Sequence, residues 1–230
     1  MTLPKDYISP TQLNMFLRCP MQYYFRYEEG LVRPPKSSLT RGKAVHKGQE
    51  VNYTQKIETR QDMPLKDVKE VVAAEFESLE PETEWEHGED KGKVKDEAIG
   101  LSELYHKEIA PTVQPLLVEQ KIELCVPEAD CNLLGYIDLI DSTGCIRDTK
   151  TVSKMPNKAE ADKSLQLTAY ALAYRELMGL EESGVKLDYL IIAKKTKKPD
   201  RSITLESKRT KEDLDRYIGL LSRIVLVIKK

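Results

Sequence analysis

The sequence predicts an α/β or α+β domain in which helices come first and a mixed sheet follows. Apolar residues recur at helical spacing through most of the first 110 positions. From Pro115 onward, short apolar runs partly alternate with polar residues and are separated by turn residues, which is typical of strands. A helical pattern then interrupts the strands, and another closes the chain. We therefore expect a single domain over residues 1–230, with a mainly helical part at about 1–110 and a sheet-containing core at about 115–230.

The first helix is predicted to begin at Ser9, where Gln12 completes a capping box and Pro10 suits the first turn. The Cys19-Pro20 step interrupts it, because proline has no backbone N–H to donate. Prolines and serines predict a loop over 31–38. Three further helices are expected in the first half: one from Thr40 through "TRGKAVHKGQEVNY", one over 65–79 and one over about 93–109.

Strands are predicted over 116–126, 131–141 and 144–151, with the last two joined by a tight turn from Asp141 to Gly144. Asp141 belongs to that turn, where aspartate accepts local backbone hydrogen bonds. The segment 162–179 is expected to be a helix that ends at Gly179. Strands over 185–195 and 201–207 and a helix from Thr210 to the C-terminus complete the sheet-containing part.

Composition excludes several classes of protein. Hydrophobic residues make up 40% and charged residues 32% of the 230 positions, which is the balance of a globular chain. No apolar run approaches the roughly 20 residues that span a bilayer, and the N-terminus lacks a signal-peptide core, so we expect a cytoplasmic protein without a membrane partner. The four cysteines form no C-x-x-C pair, which argues against a compact zinc knuckle and against a disulfide framework.

The net charge of −2 does not indicate a nucleic-acid binder, but the charges are unevenly distributed. Residues 75–90 are strongly acidic, whereas 194–201 and 207–211 are basic. A basic run is often an ordinary solvated surface, yet a local basic face can follow a phosphate backbone. The candidates for such contacts are Lys194, Lys195, Lys197, Lys198 and Arg201.

The hairpin "GYIDLIDSTGCIRDTKT" carries an unusual number of charges for so apolar a segment. Because strand residues alternate between faces, Asp148 and Lys150 share a face. Asp138 lies across the turn, and its orientation depends on a turn length that the sequence does not fix. Two buried carboxylates are costly unless they are paired or bind a metal. Together with the main-chain carbonyl of Thr149 they would suit Mg²⁺, whereas an isolated Asp-x-Lys is more often a simple ion pair.

Additional motifs accompany this hairpin in a fixed order. They are "ISPTQLNMFLRCPMQYYFRY" near the N-terminus, "RGKAVH" at 41–46, Gly135-x-x-Asp138, Asp148-x-Lys150 and Gln166-x-x-x-Tyr170. In this combination the sequence resembles the RecB-like branch of the PD-(D/E)xK nuclease superfamily, including its CRISPR-associated relatives. The resemblance extends over most of the chain apart from the acidic segment 75–90.

The resemblance implies a restriction-endonuclease-like core, with a central mixed sheet flanked by helices. It implies a Mg²⁺- or Mn²⁺-dependent deoxyribonuclease, in particular an exonuclease that acts on single- or double-stranded DNA ends in recombination or repair and that is of phage origin. A helicase, a recombinase or an annealing protein would act beside it. Two alternatives are an endonuclease of the same fold and a catalytically silent DNA-binding module.

The resemblance also assigns roles to residues. Asp138 and Asp148 would bind the metal, with the neutral imidazole of His46 as a further ligand, and Lys150 would be the catalytic lysine. Gln166 and Tyr170, which are four apart and share a helix face, would orient the groups of the active site or hold DNA near the metal. Glu119 occupies a strand position where relatives often have a glutamate at the site, although an ordinary solvent-facing glutamate is an equal alternative.

Two departures from the family pattern are informative. Lys43 stands where relatives commonly have threonine, three residues before His46. Some relatives hold an iron–sulfur cluster with one early and three late cysteines, but no cysteine follows Cys145 here. We therefore expect no iron–sulfur cluster.

Overall fold

Helices dominate the first half of the chain in the computed structural model, which describes residues 3–193 and 199–230. A two-residue strand, β1 (Tyr7–Ile8), comes first. The helices after it are α1 (Pro10–Arg18), α2 (Pro20–Tyr23), α3 (Ser37–Thr59), α4 (Leu65–Leu79) and α5 (Lys91–Glu108). A π-helical turn (Tyr24–Glu28) continues α2.

The second half contains the remaining strands and three helices. In chain order they are β2 (Pro115–Val126), β3 (Cys131–Asp141), β4 (Cys145–Val152), α6 (Glu160–Lys163), α7 (Leu165–Met178), β5 (Gly184–Ile191), β6 (Arg201–Ser207) and α8 (Lys211–Ile228). None of the helices within residues 3–193 and 199–230 is long and apolar enough to cross a bilayer.

The described strands form one mixed sheet in the order β1-β3-β4-β5-β6, with β2 paired to the other edge of β3. β1 runs parallel to β3, and β4 runs parallel to β5, whereas the remaining pairs are antiparallel. β1 contacts β3 near Asn132, and β4 contacts it near Ile140. The two strands therefore share one edge of β3 at opposite ends, and the edge between them is left for side chains.

Helices cover both faces of the sheet, as the α/β prediction requires. One apolar core contains Leu13 of α1, Leu167 of α7 and Leu214 of α8, packed on one face. A second core contains Val45 of α3 and Val72 of α4 and lies on the other face, where α5 also packs. The mixed sheet flanked by helices that was predicted from the sequence is thereby confirmed.

Most predicted elements form close to their expected bounds. The capping box of Ser9 and Gln12 is present at α1, and α4 spans the predicted residues. The helix predicted over 162–179 divides at Ser164, whose hydroxyl accepts from the Leu167 N–H and starts α7. The sequence did not reveal β1, because two residues carry no periodicity. The predicted strand 185–195 ends at Ile191, and positions 194 and 195 lie outside the described residues.

Candidate active site

A fork between β3 and β4 forms the centre of the site. The two strands pair at Ile140–Ile146 and Leu139–Arg147, next to the turn that joins them. At the following level the backbone N–H of Thr149 donates to Oδ2 of Asp138 over 3.2 Å. A carboxylate thus takes the place of a strand–strand hydrogen bond, and this fixes Asp138 beside β4.

His46 reaches the fork from α3, on the opposite side from α7. Its Nε2 lies 2.9 Å from the carbonyl oxygen of Thr149, and its Nδ1 lies 3.3 Å from Oδ2 of Asp138. Because a carbonyl only accepts, Nε2 carries the proton, and in the neutral ring the lone pair of Nδ1 faces the site. Gly42 makes this approach possible, since a Cβ there would lie 3.2 Å from Oγ1 of Thr151.

Glu119 lies on β2, directly opposite Asp138. Val118 pairs with Leu139 and Gln120 with Ile137, so the register places Glu119 across from Asp138. Its φ of 48° is left-handed, which is rare and strained for a non-glycine residue inside a strand.

This left-handed residue coincides with a change of face in both strands. In β2, Ile122 packs in the core beside α7, whereas Val118 packs against the core beside α3. In β3, Ile137 and Leu139 are divided between the same two cores. In a regular strand, Val118 and Ile122 would share one face, and so would Ile137 and Leu139, because each two are an even number of residues apart. The paired strands β2 and β3 therefore exchange the faces that they present to the two cores at the level of Glu119, where the acidic side chains meet.

Asp148 and Lys150 lie on the face of β4 that α7 covers. Nζ of Lys150 is 2.7 Å from Oδ2 of Asp148, as expected for residues two apart in a strand. The Asp148 side chain is only 1% exposed, whereas that of Lys150 is 38% exposed. Both carboxylate oxygens of Asp148 are buried without a hydrogen-bond partner in the described part of the chain, and Oδ2 is held only by the ion pair with Lys150.

A chain of hydrogen bonds holds Lys150 from α7. Nζ of Lys150 donates to Oε1 of Gln166 over 3.0 Å, and Nε2 of Gln166 donates to the hydroxyl oxygen of Tyr170 over 2.8 Å. The ring of Tyr170 packs over Gly135, where a Cβ would lie 3.3 Å from Cε1 of the ring. The spacing of Gly135 and Asp138 in the sequence therefore has a steric basis, because a side chain at 135 would displace Tyr170.

Burial and neighbouring charges perturb several of these groups. Burial, followed by the charge of Asp148, raises the pKa of Asp138 to about 7. Burial also raises the pKa of Glu119. Burial is the largest influence on Lys150 and disfavours its ammonium form, but the contact with Asp148 and the charges of Asp148 and Asp138 together outweigh burial, and the pKa of Lys150 is raised. The cleft thus holds more negative charge than its own cations neutralise, and Lys150 stays protonated.

The donor atoms fit a divalent cation. His46, Glu119 and Asp138 each offer one ligand atom, and these atoms lie within 4.8 Å of one another. Asp148 is not a member of this group, but its buried, unpartnered oxygens line the same cavity. Carboxylate oxygens are the ligands that hard cations such as Mg²⁺ and Mn²⁺ prefer, and a positive ion would relieve the cost of burying several carboxylates together.

These groups line one open cavity of about 660 Å³. The cavity brings together His46, Glu119, Asp138, Asp148, Lys150 and Gln166 from the residues that the sequence singled out. Lys47, Glu50 and Glu75 also line it and were not recognised from the sequence. Glu50 follows His46 on α3 by four positions, so helical spacing from His46 was the available signal for Glu50, whereas the adjacent Lys47 had no such signal.

Arg201, the one basic candidate within the described residues, does not line this cavity. Lys194, Lys195, Lys197 and Lys198 lie outside the described residues. Arg201 is exposed at the start of β6. Asp141 stays in the turn, as expected, where its Oδ1 accepts from the backbone N–H of Thr143 over 2.9 Å.

Comparison with known proteins agrees with this geometry. The family model described as "PD-(D/E)XK nuclease superfamily" matches residues 7–228. None of the curated proteins matches the chain significantly in sequence. The fold is similar to the crystal structure of a "Putative exonuclease" from Eubacterium rectale, with a TM-score of 0.61 at 14% identity. That similarity covers 97% of this chain and 81% of the other.

Proposed function

The chain belongs to the PD-(D/E)XK nuclease superfamily, and we propose that it is a Mg²⁺- or Mn²⁺-dependent deoxyribonuclease of the RecB-like branch that degrades DNA from its ends. One observation carries this proposal. Three candidate metal ligands lie together at the fork between β3 and β4, beside a lysine that is ion-paired with the buried Asp148. Nucleases of this superfamily use divalent metals, and nucleic acid is their substrate. A role in recombination or repair, a phage origin and a helicase, recombinase or annealing partner belong to the proposal.

His46, Glu119, Asp138 and Asp148 would hold the cation, and the Thr149 carbonyl that His46 contacts is an additional oxygen donor of the same set. When bound, such a cation polarises the phosphodiester and lowers the pKa of a coordinated water. The donation from Thr149 to Asp138 keeps that carboxylate oriented toward the fork before any ligand arrives. On the neighbouring strand β2, the left-handed backbone conformation of Glu119 likewise directs the Glu119 carboxylate toward the fork.

Lys150 acts as a cation rather than as a base in this proposal. Its raised pKa keeps the ammonium protonated at neutral pH, so it offsets the negative charge that develops on the phosphate in the transition state. Its Nζ donates to Gln166 and is ion-paired with Asp148 at 2.7 Å, which leaves N–H capacity for the substrate. Tyr170 fixes the amide of Gln166 and acts through it as a positioning residue.

Both parts of the chain contribute to the site, which supports a single nuclease domain over residues 1–230. His46 comes from the helical N-terminal part, whereas Asp138, Asp148 and Lys150 come from the sheet. Neither part contains a complete set of groups by itself.

The decisive experiment uses purified protein with end-labelled linear single- and double-stranded DNA and with a covalently closed circle. Mg²⁺, Mn²⁺ and a chelator are compared, and Lys150→Ala is assayed beside Lys186→Ala. Lys186 is paired with Glu206 on the surface of β5 and serves as the matched control. We expect metal-dependent loss of linear DNA, an intact circle, an inactive Lys150 variant and an active Lys186 variant.

Each alternative has its own outcome in this assay. Cleavage of the closed circle would indicate an endonuclease. DNA binding without metal-dependent degradation would indicate a catalytically silent binding module. Full activity of the Lys150→Ala variant would contradict the assignment of the site.

A further inference from the structure

Charged side chains follow one another along the face of α3 that lines the cavity. Lys43 precedes His46 by three residues, and Glu50 follows it by four, so they lie roughly 4.5 Å and 6 Å along the helix axis on either side of the imidazole. The face is therefore positive on the N-terminal side of His46 and includes a carboxylate on the C-terminal side.

The two lysines of this face differ in their partners. Lys47 donates to both carboxylate oxygens of Glu50 over 2.9 Å, so its charge is neutralised within the protein. Lys43 is exposed and makes no ion pair or hydrogen bond within the described residues, although it lines the same cavity. It is a cation at the mouth of the candidate active site whose charge remains available to a ligand.

The opposite end of the cavity disfavours phosphate. Glu50 and Glu75 line it there, in addition to Glu119 at the fork. Lys47 compensates only one of these charges. A polynucleotide carries one negative charge per residue, so a strand that continued over this end would meet carboxylates. Around Lys43, by contrast, the cavity is lined by Ser38 and by Leu39, whose exposed side chain carries no charge.

We propose that Lys43 binds the phosphate adjacent to the scissile one, and thereby directs the polynucleotide over the N-terminal half of α3. This inference rests on the proposed function, because it requires the scissile phosphate to lie at the fork beside Asp138 and Lys150. The substrates favoured by this contact are phosphodiesters with at least two consecutive phosphates.

The test compares two substrates that differ in the number of phosphates. One is a labelled oligonucleotide, and the other is bis(p-nitrophenyl) phosphate, which has a single phosphodiester. For Lys43→Gln we expect the KM for the oligonucleotide to rise roughly threefold to tenfold with kcat unchanged. Both constants for the single diester stay as in the wild type. Lys43→Arg restores the KM for the oligonucleotide, because it restores the charge.

A second measurement follows binding alone. In a Lys150→Ala background, fluorescence anisotropy gives the Kd of the oligonucleotide over a range of salt concentrations. Adding Lys43→Gln lowers the slope of log Kd against log salt by about one, as for the loss of one phosphate contact. Lys66→Gln removes the same charge from an exposed position on α4 and leaves the slope unchanged.

The outcomes separate this inference from the proposed function. If the wild type binds the oligonucleotide and cleaves neither substrate, the nuclease proposal fails, and the anisotropy series alone decides the role of Lys43. An unchanged KM and salt slope in Lys43→Gln would overturn the inference. An equal loss on both substrates would also overturn it, because a phosphate contact next to the scissile bond cannot affect a single diester.

Discussion

Arg147 and Asp148 are consecutive residues of β4, and both are buried, yet their charges are treated differently. Nε and Nη2 of Arg147 donate to the two carboxylate oxygens of Asp188 over 2.9 Å and 3.0 Å, and Thr204 donates to the same carboxylate. Asp148 has an ion pair with Lys150, but neither of its carboxylate oxygens has a hydrogen-bond partner in the described part of the chain. The first pair is saturated by the protein, and the second is incomplete.

The difference distinguishes a structural ion pair from a functional one. A buried charge whose hydrogen bonds are complete has no capacity left for a ligand, and it contributes to the fold through its own partners. A buried carboxylate with an unused oxygen is destabilising in the protein alone and becomes favourable when a cation arrives. Arg147 and Asp148 point to opposite faces of β4. The structural ion pair therefore lies on one side of the sheet, and the carboxylate that is available to a ligand lies on the other.

The largest expected effect is that of Asp148→Asn on catalysis. We expect the cleavage rate to fall by about 10³-fold, because a proposed metal ligand and the partner of Lys150 are both lost. The melting temperature of the metal-free protein should stay the same or rise, because a buried charge is removed. Single-turnover cleavage and calorimetry in chelator measure the two quantities, and a strongly lowered melting temperature would assign Asp148 to the structural class.

Asp188→Asn should show the reverse pattern. Removing the charge of Asp188 leaves the buried Arg147 guanidinium with only the longer ion pair to Asp141, at 3.7 Å, and we expect a loss of about 3 kcal/mol of unfolding free energy. Metal affinity should change little, since Asp188 does not line the cavity. Denaturant unfolding and metal titration report these values, and Thr204→Val offers a milder test at about 1 kcal/mol.

The pH dependence of stability sharpens the comparison at Asp138. In the folded chain its pKa is raised to about 7 from an ordinary value of 3.8, so between these values the folded state binds more protons than the unfolded state. The contribution of this group to the unfolding free energy therefore falls as the pH rises from about 4 to 7. Asp138→Asn should remove this part of the pH dependence in chelator and weaken Mn²⁺ binding. An unchanged pH profile would contradict the proposed burial of its charge.

Tyr170→Phe should have the smallest effect. The variant keeps the ring that packs over Gly135 and loses the hydroxyl that accepts from Gln166. We expect a decrease in kcat of about fivefold, which corresponds to roughly 1 kcal/mol, with KM unchanged. A steady-state comparison with Tyr174→Phe, one turn further along α7, shows whether the hydroxyl of Tyr170 has a specific role.

Local patterns in the sequence predicted the elements that depend on neighbouring residues. The spacing of two between Asp148 and Lys150 placed them on one face, and the structure has them in contact. The capping box at Ser9 and the bounds of α4 likewise follow from short-range rules. The role of each site residue remains a prediction, because geometry alone does not measure activity.

Long-range geometry could not be predicted in the same way. The orientation of Asp138 depends on the exchange of faces by β2 and β3 at Glu119, a change in backbone conformation that strand alternation does not reveal. The contact of His46 with Thr149 joins residues 103 positions apart, and the resemblance, which placed His46 at the metal, did not predict that contact. The sequence does not show that Lys43 lacks an ion-pair partner within the described residues, because that requires knowing that Glu50 pairs with Lys47 instead.

The fork between β3 and β4 has a consequence for the chain while it is being made. The imidazole of His46 reaches that fork from α3 on one side of the sheet, and Gln166, which follows the hairpin in the chain, reaches it from α7 on the other side. A nascent or partly unfolded chain therefore lacks the assembled site. Activity of the kind proposed would arise together with cooperative folding, and partial proteolysis or local melting would abolish it.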